Sequence, residues 1–154
     1  MLFDKILVPL DGSEQSLKAL DVAVEVAVKF GGTLTLIHVY SVAGVTGYLP
    51  EPSATVGVPV MSVSDISKLA ESARDAGKSV LDEGKKRTKA SGVEVNVLLE
   101  EGHPVHEIVR AAKEGKFELI VIGARGLSRI RELLLGGVSD AIMHHADCPV
   151  LVVK

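Results

Sequence analysis

No tryptophan occurs in the 154 residues, and only two tyrosines and three phenylalanines are present. A surface that stacks nucleobases, or a paratope-like face, therefore has little to be built from, and the core has to be aliphatic. Cysteine is equally scarce: the one thiol, Cys148, cannot close an internal disulfide. The opening MLFDKILVPLDGS lacks the basic and apolar regions of a secretory signal. Together these two absences lead to the expectation of a cytosolic, cytoplasmic location. Long hydrophobic runs are missing as well. The longest stretch without formal charge, which includes residues 31–50, is broken by Gly, Thr, Ser, His and Pro and falls short of the roughly 18 apolar residues that span a bilayer. Neither sign of charge dominates. Seventeen Lys and Arg stand against 20 Asp and Glu, a formal charge of −3, which leaves no general attraction to nucleic acid or anionic lipid. Neither GxxxxGK[ST] nor GxGxxG occurs, so the standard P-loop and dinucleotide fingerprints are excluded.

What is present reads as one globular domain over residues 1–154, with 47% apolar and 24% charged residues. Five β-rich runs stand out: Lys5 to Leu10, Thr33 to Tyr40, Val93 to Leu99, Glu118 to Gly123 and Pro149 to Val153. Helical periodicity fills the intervals. Leu17, Leu20, Val24, Ala27 and Val28 form one stripe, stopped by Gly31-Gly32. Ile66, Leu69, Ala73, Val80 and Leu81 form a longer one, expected to start at Ser64 as cap and to end at Gly92. Pro104 suits a first helical position, with Val105, Ile108, Val109 and Ala112 on one face and Gly115 at the end. A fourth helix is expected from about Gly137 to His145.

Strands alternating with helices dictate an α/β three-layer sandwich, a five-stranded parallel sheet with helices on both faces. ILVPL and LIVIG are apolar at nearly every position, as buried central strands are, whereas VEVNVLL alternates and looks closer to an edge. Strands one and four are therefore expected to be central. If they are adjacent, as in the expected order 3-2-1-4-5, the order reverses between them, and ligands of open α/β sheets bind at the carboxyl ends of strands at such a reversal. Residues 41–63 fit no element. They carry Gly44, Gly47, Gly57, Pro50, Pro52 and Pro59 with one charge, Glu51, and read as an irregular insertion on the same rim.

The two rim loops carry the candidate chemistry. After strand one come Asp11, Gly12 and Ser13. Gly12 can make a tight turn and Ser13 can cap the helix, while a carboxylate at Asp11 can also hold a metal or a ribose hydroxyl. After strand four come Gly123-Ala124-Arg125-Gly126, then LSRIRELLL, then Gly136-Gly137-Val138-Ser139. Such glycines either merely make turns or let the backbone approach a phosphate. In the second case the N–H groups and dipole of the following helix attract the anion. Arg125, Arg129 and Arg131 add positive charge.

The spacing Gly123-x2-Gly126-x9-Gly136, preceded by ELIVIG and followed by Val138-Ser139 and HHADCPVLVV, resembles the nucleotide-binding motif of the ATP-binding subgroup of universal stress proteins. The opening KILVPLDGSEQS resembles that family's first strand and loop. The resemblance covers essentially the whole chain and implies a five-stranded parallel sheet and a homodimer paired through its last strand, here Pro149 to Val153. It implies ATP with Mg²⁺ as ligand. Pro9 and Asp11 would border the adenosine, Asp11 lying near the ribose or the metal, and Val39 would line the adenine pocket. Ile122 and Gly123 would flank ribose and phosphates, and Gly126, Gly136, Gly137, Val138 and Ser139 would hold the phosphates.

Two positions depart from the family pattern. Gly137 stands where Ser or Thr usually follows the third glycine; loss of that hydroxyl should cost on the order of 1 kcal/mol, or up to about tenfold in affinity, with Ser139 as a possible compensation. Arg125 stands where the family often has His, and a guanidinium there could contact phosphates.

Weaker candidates have simpler readings. His144, His145, Asp147 and Cys148 are spaced poorly for a metal, so the histidines are read as helix C-terminal residues and Cys148 as a small buried hydrophobe. His103 is read as a cap, His106 as exposed and His38 as a core or rim residue. No Ser, His and Asp arrangement supports a hydrolase triad. No rim residue is an evident water-positioning group, so nucleotide binding with little or no hydrolysis is expected, in a sensor or regulator of stress responses. The competing reading is a dimeric interaction module that binds no ATP or another phosphate-bearing ligand. Flavodoxin-like and receiver-type readings are set aside: the loop DGSEQS offers no hydroxyl-rich phosphate site, and strand three ends in Glu100-Glu101 rather than Asp.

Overall fold

The computed structural model describes residues 2–42, 62–125 and 137–154. The elements are β1 (Lys5–Pro9), α1 (Glu14–Phe30), β2 (Thr33–Tyr40), α2 (Val63–Thr88), a 3₁₀ turn (Lys89–Ser91), β3 (Val95–Glu101), α3 (Pro104–Glu114), β4 (Leu119–Gly123), α4 (Gly137–His145) and β5 (Val150–Val153). All pairings are parallel and the order is β3-β2-β1-β4-β5. This is the α/β sandwich expected from the alternation of strand and helix.

Two apolar layers hold it together. Ile6, Val8, Leu34, Leu36, Leu119 and Val121 pack against Ala19, Leu20, Ala23 and Ala27 of α1 and Leu81 of α2. Leu7, Ile37, Ile120 and Ile122 pack on the other face against Ile108 and Ala112 of α3 and Ile142 of α4. Because neighbours along a strand point to opposite faces, β1 and β4 are apolar at consecutive positions and buried on both sides. Right-handed crossovers explain the split. Moving from β1 to β2 to β3 places α1 and α2 on one face, and returning past β1 to β4 and β5 places α3 and α4 on the other.

Several boundaries differ from those expected. The cap of α2 is Ser62, not Ser64. Ser62 Oγ accepts from the Asp65 amide while Ser62 N–H donates to Asp65 Oδ2, both at 3.2 Å. The S-x-x-D spacing permits this reciprocal box, whereas Ser64 has no acid three residues on. β3 begins at Val95 rather than Val93 and runs to Glu101, because pairing with β2 continues to Tyr40–Glu101. Of the expected insertion, residues 43–61 lie outside the described residues, and Ser62 and Val63 belong to the start of α2.

Candidate functional site

β1 and β4 pair only at Ile6–Leu119 and Leu7–Ile120, whereas β1 follows β2 as far as Pro9–Ile37 and β4 follows β5 as far as Gly123–Val153. Pro9 has no N–H to donate to a ladder, and beyond Leu7 the two central strands part. At their carboxyl ends lies a cavity of about 270 Å³. This is the position of the strand-order reversal.

Pro9, Asp11, Val39, Ile122, Gly123, Arg125, Gly137, Val138 and Ser139 all line this one cavity. Gly126 and Gly136 lie outside the described residues, as do Arg129 and Arg131. The cavity is also lined by Leu10, Ser16, Ile37, Pro104 and Ile108, which the sequence reading missed as site residues. Two signals were available. Ile37 shares its strand face with Val39, and α3 starts directly after β3, so its first turn has to sit on the carboxyl rim. Pro104 and Ile108 are four apart and share a helix face.

Each lip has a local cause. On one, Gly12 adopts φ +85°, a turn conformation suited to glycine. Asp11 Oδ1 accepts from the Ser13 amide at 2.9 Å and from its hydroxyl at 2.5 Å. Ser13 Oγ in turn accepts from the Ser16 amide at 3.1 Å, capping α1. The carboxylate is thus held at the strand tip by the cap it abuts. On the other lip, α4 opens at Gly137 with Val138 and Ser139 in its first turn, where backbone N–H groups are aimed out of the helix end and the dipole is positive. The Ser139 hydroxyl is buried and donates to the Ala124 carbonyl at 2.9 Å, so that proton is spent inside the protein. Between the lips, Pro9, Ile37, Val39, Ile108 and Ile122 make an apolar floor, suited to a flat heterocycle rather than to a charged group.

Gly123 has a packing reason of its own. A Cβ built there would lie 2.8 Å from the Gln15 carbonyl oxygen and 3.2 Å from the Ser16 amide nitrogen. The tip of β4 therefore rests directly on the backbone that opens α1.

The remaining candidates fall away from the cavity. His103 stands at the cap position of α3 but makes no capping side-chain bond, which corrects the expectation of a histidine cap. The His106 side chain is 73% exposed. His144 lies 3.6 Å from Asp140 in the last turns of α4. Cys148 is half-buried, and burial pushes its thiol up, away from the reactive thiolate. Among the described residues no group of three or more His, Cys, Asp or Glu is placed to hold a metal ion, and no helix is long and apolar enough to cross a membrane.

Comparison with known proteins fits this geometry. The universal stress protein family profile matches residues 2–154. Universal stress protein YxiE of Bacillus subtilis is 35% identical over 153 residues, covering 99% of this chain and 100% of that protein. UspA of Lactobacillus plantarum shares the fold at TM-score 0.81 and 24% identity, covering 100% of this chain and 99% of its own. A universal stress protein solved in complex with cAMP superposes at TM-score 0.69 with 28% identity, covering 100% of this chain and 99% of that one. With the family profile matching residues 2–154, a relative 35% identical along its whole length and the same strand architecture, the chain belongs to the universal stress protein family.

Proposed function

We propose that this protein binds an adenine nucleotide, ATP with Mg²⁺, in the cavity between the tips of β1 and β4, and acts as a nucleotide-dependent regulator in the cytoplasm. One observation carries the reading: an apolar floor lies between the Asp11 carboxylate and the first turn of α4. The base would rest on Ile37, Val39, Ile108 and Ile122. Asp11 would hold a ribose hydroxyl or the metal. The backbone of Gly137, Val138 and Ser139 would take phosphate oxygens, joined by Gly126 and Gly136, and Arg125 supplies a positive charge at the rim. The related protein solved with cAMP supports an adenine nucleotide as the ligand class. When bound, Mg²⁺ would neutralise phosphate charge. The reading is of binding with little or no turnover. The homodimer would form through β5, an apolar edge strand on which Leu151 is 38% exposed.

A second reading, a dimeric interaction module with no ATP, is favoured by two contacts. Gly123 is already required by packing against Gln15, and the Ser139 hydroxyl is already bonded to Ala124. Mass spectrometry of small molecules released from purified protein, with calorimetric titration of ATP, ADP, AMP and cyclic nucleotides, separates the two. Recovered adenine nucleotide and saturable heat are expected. Absence of both released nucleotide and titration heat overturns the proposal.

A further inference from the structure

Alternation along β2 turns Ile37 and Val39 toward the cavity and His38 to the opposite face, under α2. His38 therefore does not line the cavity, yet it is bonded to the loop that does. Its Nδ1 lies 2.7 Å from the Leu10 carbonyl oxygen. A carbonyl only accepts, so the ring proton has to sit on Nδ1, which donates. The Leu10 amide donates to the Ile37 carbonyl at 2.8 Å. Both backbone polar groups of Leu10 are thus held by β2, one through the main chain and one through the imidazole. The peptide group so fixed is the one that joins Leu10 to Asp11. From Asp11 the constraint continues through the Ser13 amide and hydroxyl to the Ser16 amide at the start of α1.

Space for the ring is kept by α2. A Cβ at Gly77 would lie 2.7 Å from His38 Cδ2 and 2.8 Å from Leu99 Cδ1. Glycine inside a helix is less favourable than alanine, so room for the imidazole is preserved against local propensity.

We propose that His38 is a positioning residue of the nucleotide cavity: by holding the Leu10 carbonyl, its Nδ1–H sets where the β1–α1 turn presents Asp11 to the ligand. The binding part rests on the nucleotide reading above, while the hydrogen bond is testable in the free protein. Leucine and asparagine both branch at Cγ as imidazole does, and only asparagine offers an N–H where Nδ1 stands. They separate donation from space-filling.

In ¹⁵N-labelled free protein, long-range ¹⁵N–¹H correlation is expected to show the Nδ1–H tautomer at His38. His38→Leu is expected to shift the amide resonances of Asp11, Gly12 and Ser13 and to weaken ATP binding about five- to tenfold. His38→Asn is expected to stay within about twofold of the parent and to keep those resonances near their positions. An Nε2–H tautomer, unmoved loop resonances in His38→Leu, or equal damage by leucine and asparagine overturns the positioning role. If the parent binds no nucleotide, the proposed function fails, and the tautomer and loop shifts still decide the role of His38. If His38→Leu does not fold, the parental tautomer and the asparagine titration decide it.

Discussion

Gly137 is the position at which the nucleotide reading is most exposed. It opens α4 and lines the cavity. Among the described residues a Cβ added there meets nothing within 4 Å, and its backbone lies outside the left-handed region. A serine can therefore enter without strain, at a helical position where glycine is the poorer residue. One hydroxyl donating to a phosphate oxygen contributes on the order of 1 kcal/mol net, equivalent to roughly five- to tenfold in affinity. Gly137→Ser is expected to tighten ATP by that factor and to leave adenosine, which carries no phosphate, within about twofold. Isothermal titration at fixed salt and Mg²⁺ measures both ligands on parent and variant. A serine variant that binds ATP no more tightly, or that gains as much for adenosine, refutes the placement of the phosphates at the first turn of α4.

Four other perturbations test separate parts of the structure. Gly126→Val places a side chain in the loop assigned to the phosphates, and it is expected to abolish ATP binding in calorimetry while the melting temperature of the free protein stays unchanged. Gly123→Ala drives a methyl group to 2.8 Å from the Gln15 carbonyl oxygen. Overpacking of this kind costs about 1–3 kcal/mol, and a melting temperature lowered by roughly 2–12 °C in differential scanning calorimetry is expected. The Arg87 guanidinium, bonded to both oxygens of Asp21 at 2.7 Å, holds that carboxyl below the ordinary carboxylate range. A carboxyl lowered in the folded state stabilises above its unfolded value of about 3.9 and loses the contribution as pH falls through its folded value. The urea midpoint of the parent is therefore expected to exceed that of Arg87→Gln at pH 6, with the gap closing below about pH 3.9; an equal gap at both pH values refutes the pairing. Leu151→Lys puts a charge on the exposed face of β5, and light scattering is expected to find the monomer mass where the parent is a dimer. An unchanged mass rules out that edge as the interface.

The local record of the fold was readable in the chain. Periodicities near two and near three and a half residues marked strands and helices, Gly31 and Gly115 marked ends, and Ser13 marked a start, because these signals act over a few residues. Uninterrupted apolarity marked β1 and β4 as central, and the site could be placed at a reversal between them on the condition that they are neighbours, which the order β3-β2-β1-β4-β5 meets. Boundaries were less legible where a partner decides them. β3 runs on to Glu101 because Tyr40 is there to pair with it, and Ser62 displaces Ser64 as cap because Asp65 answers it across one turn. Contacts between distant segments were not legible at all. Pro104 and Ile108 close one wall of the cavity, Gly123 meets Gln15, and His38 takes the Leu10 carbonyl. Residue type and spacing carry periodicity, caps and charge, so the amino-acid sequence alone determined the elements, their layering and the two loops worth examining. Which side chains meet across the sheet depends on helix placement over a particular strand register, a long-range packing outcome that only the tertiary structure decided.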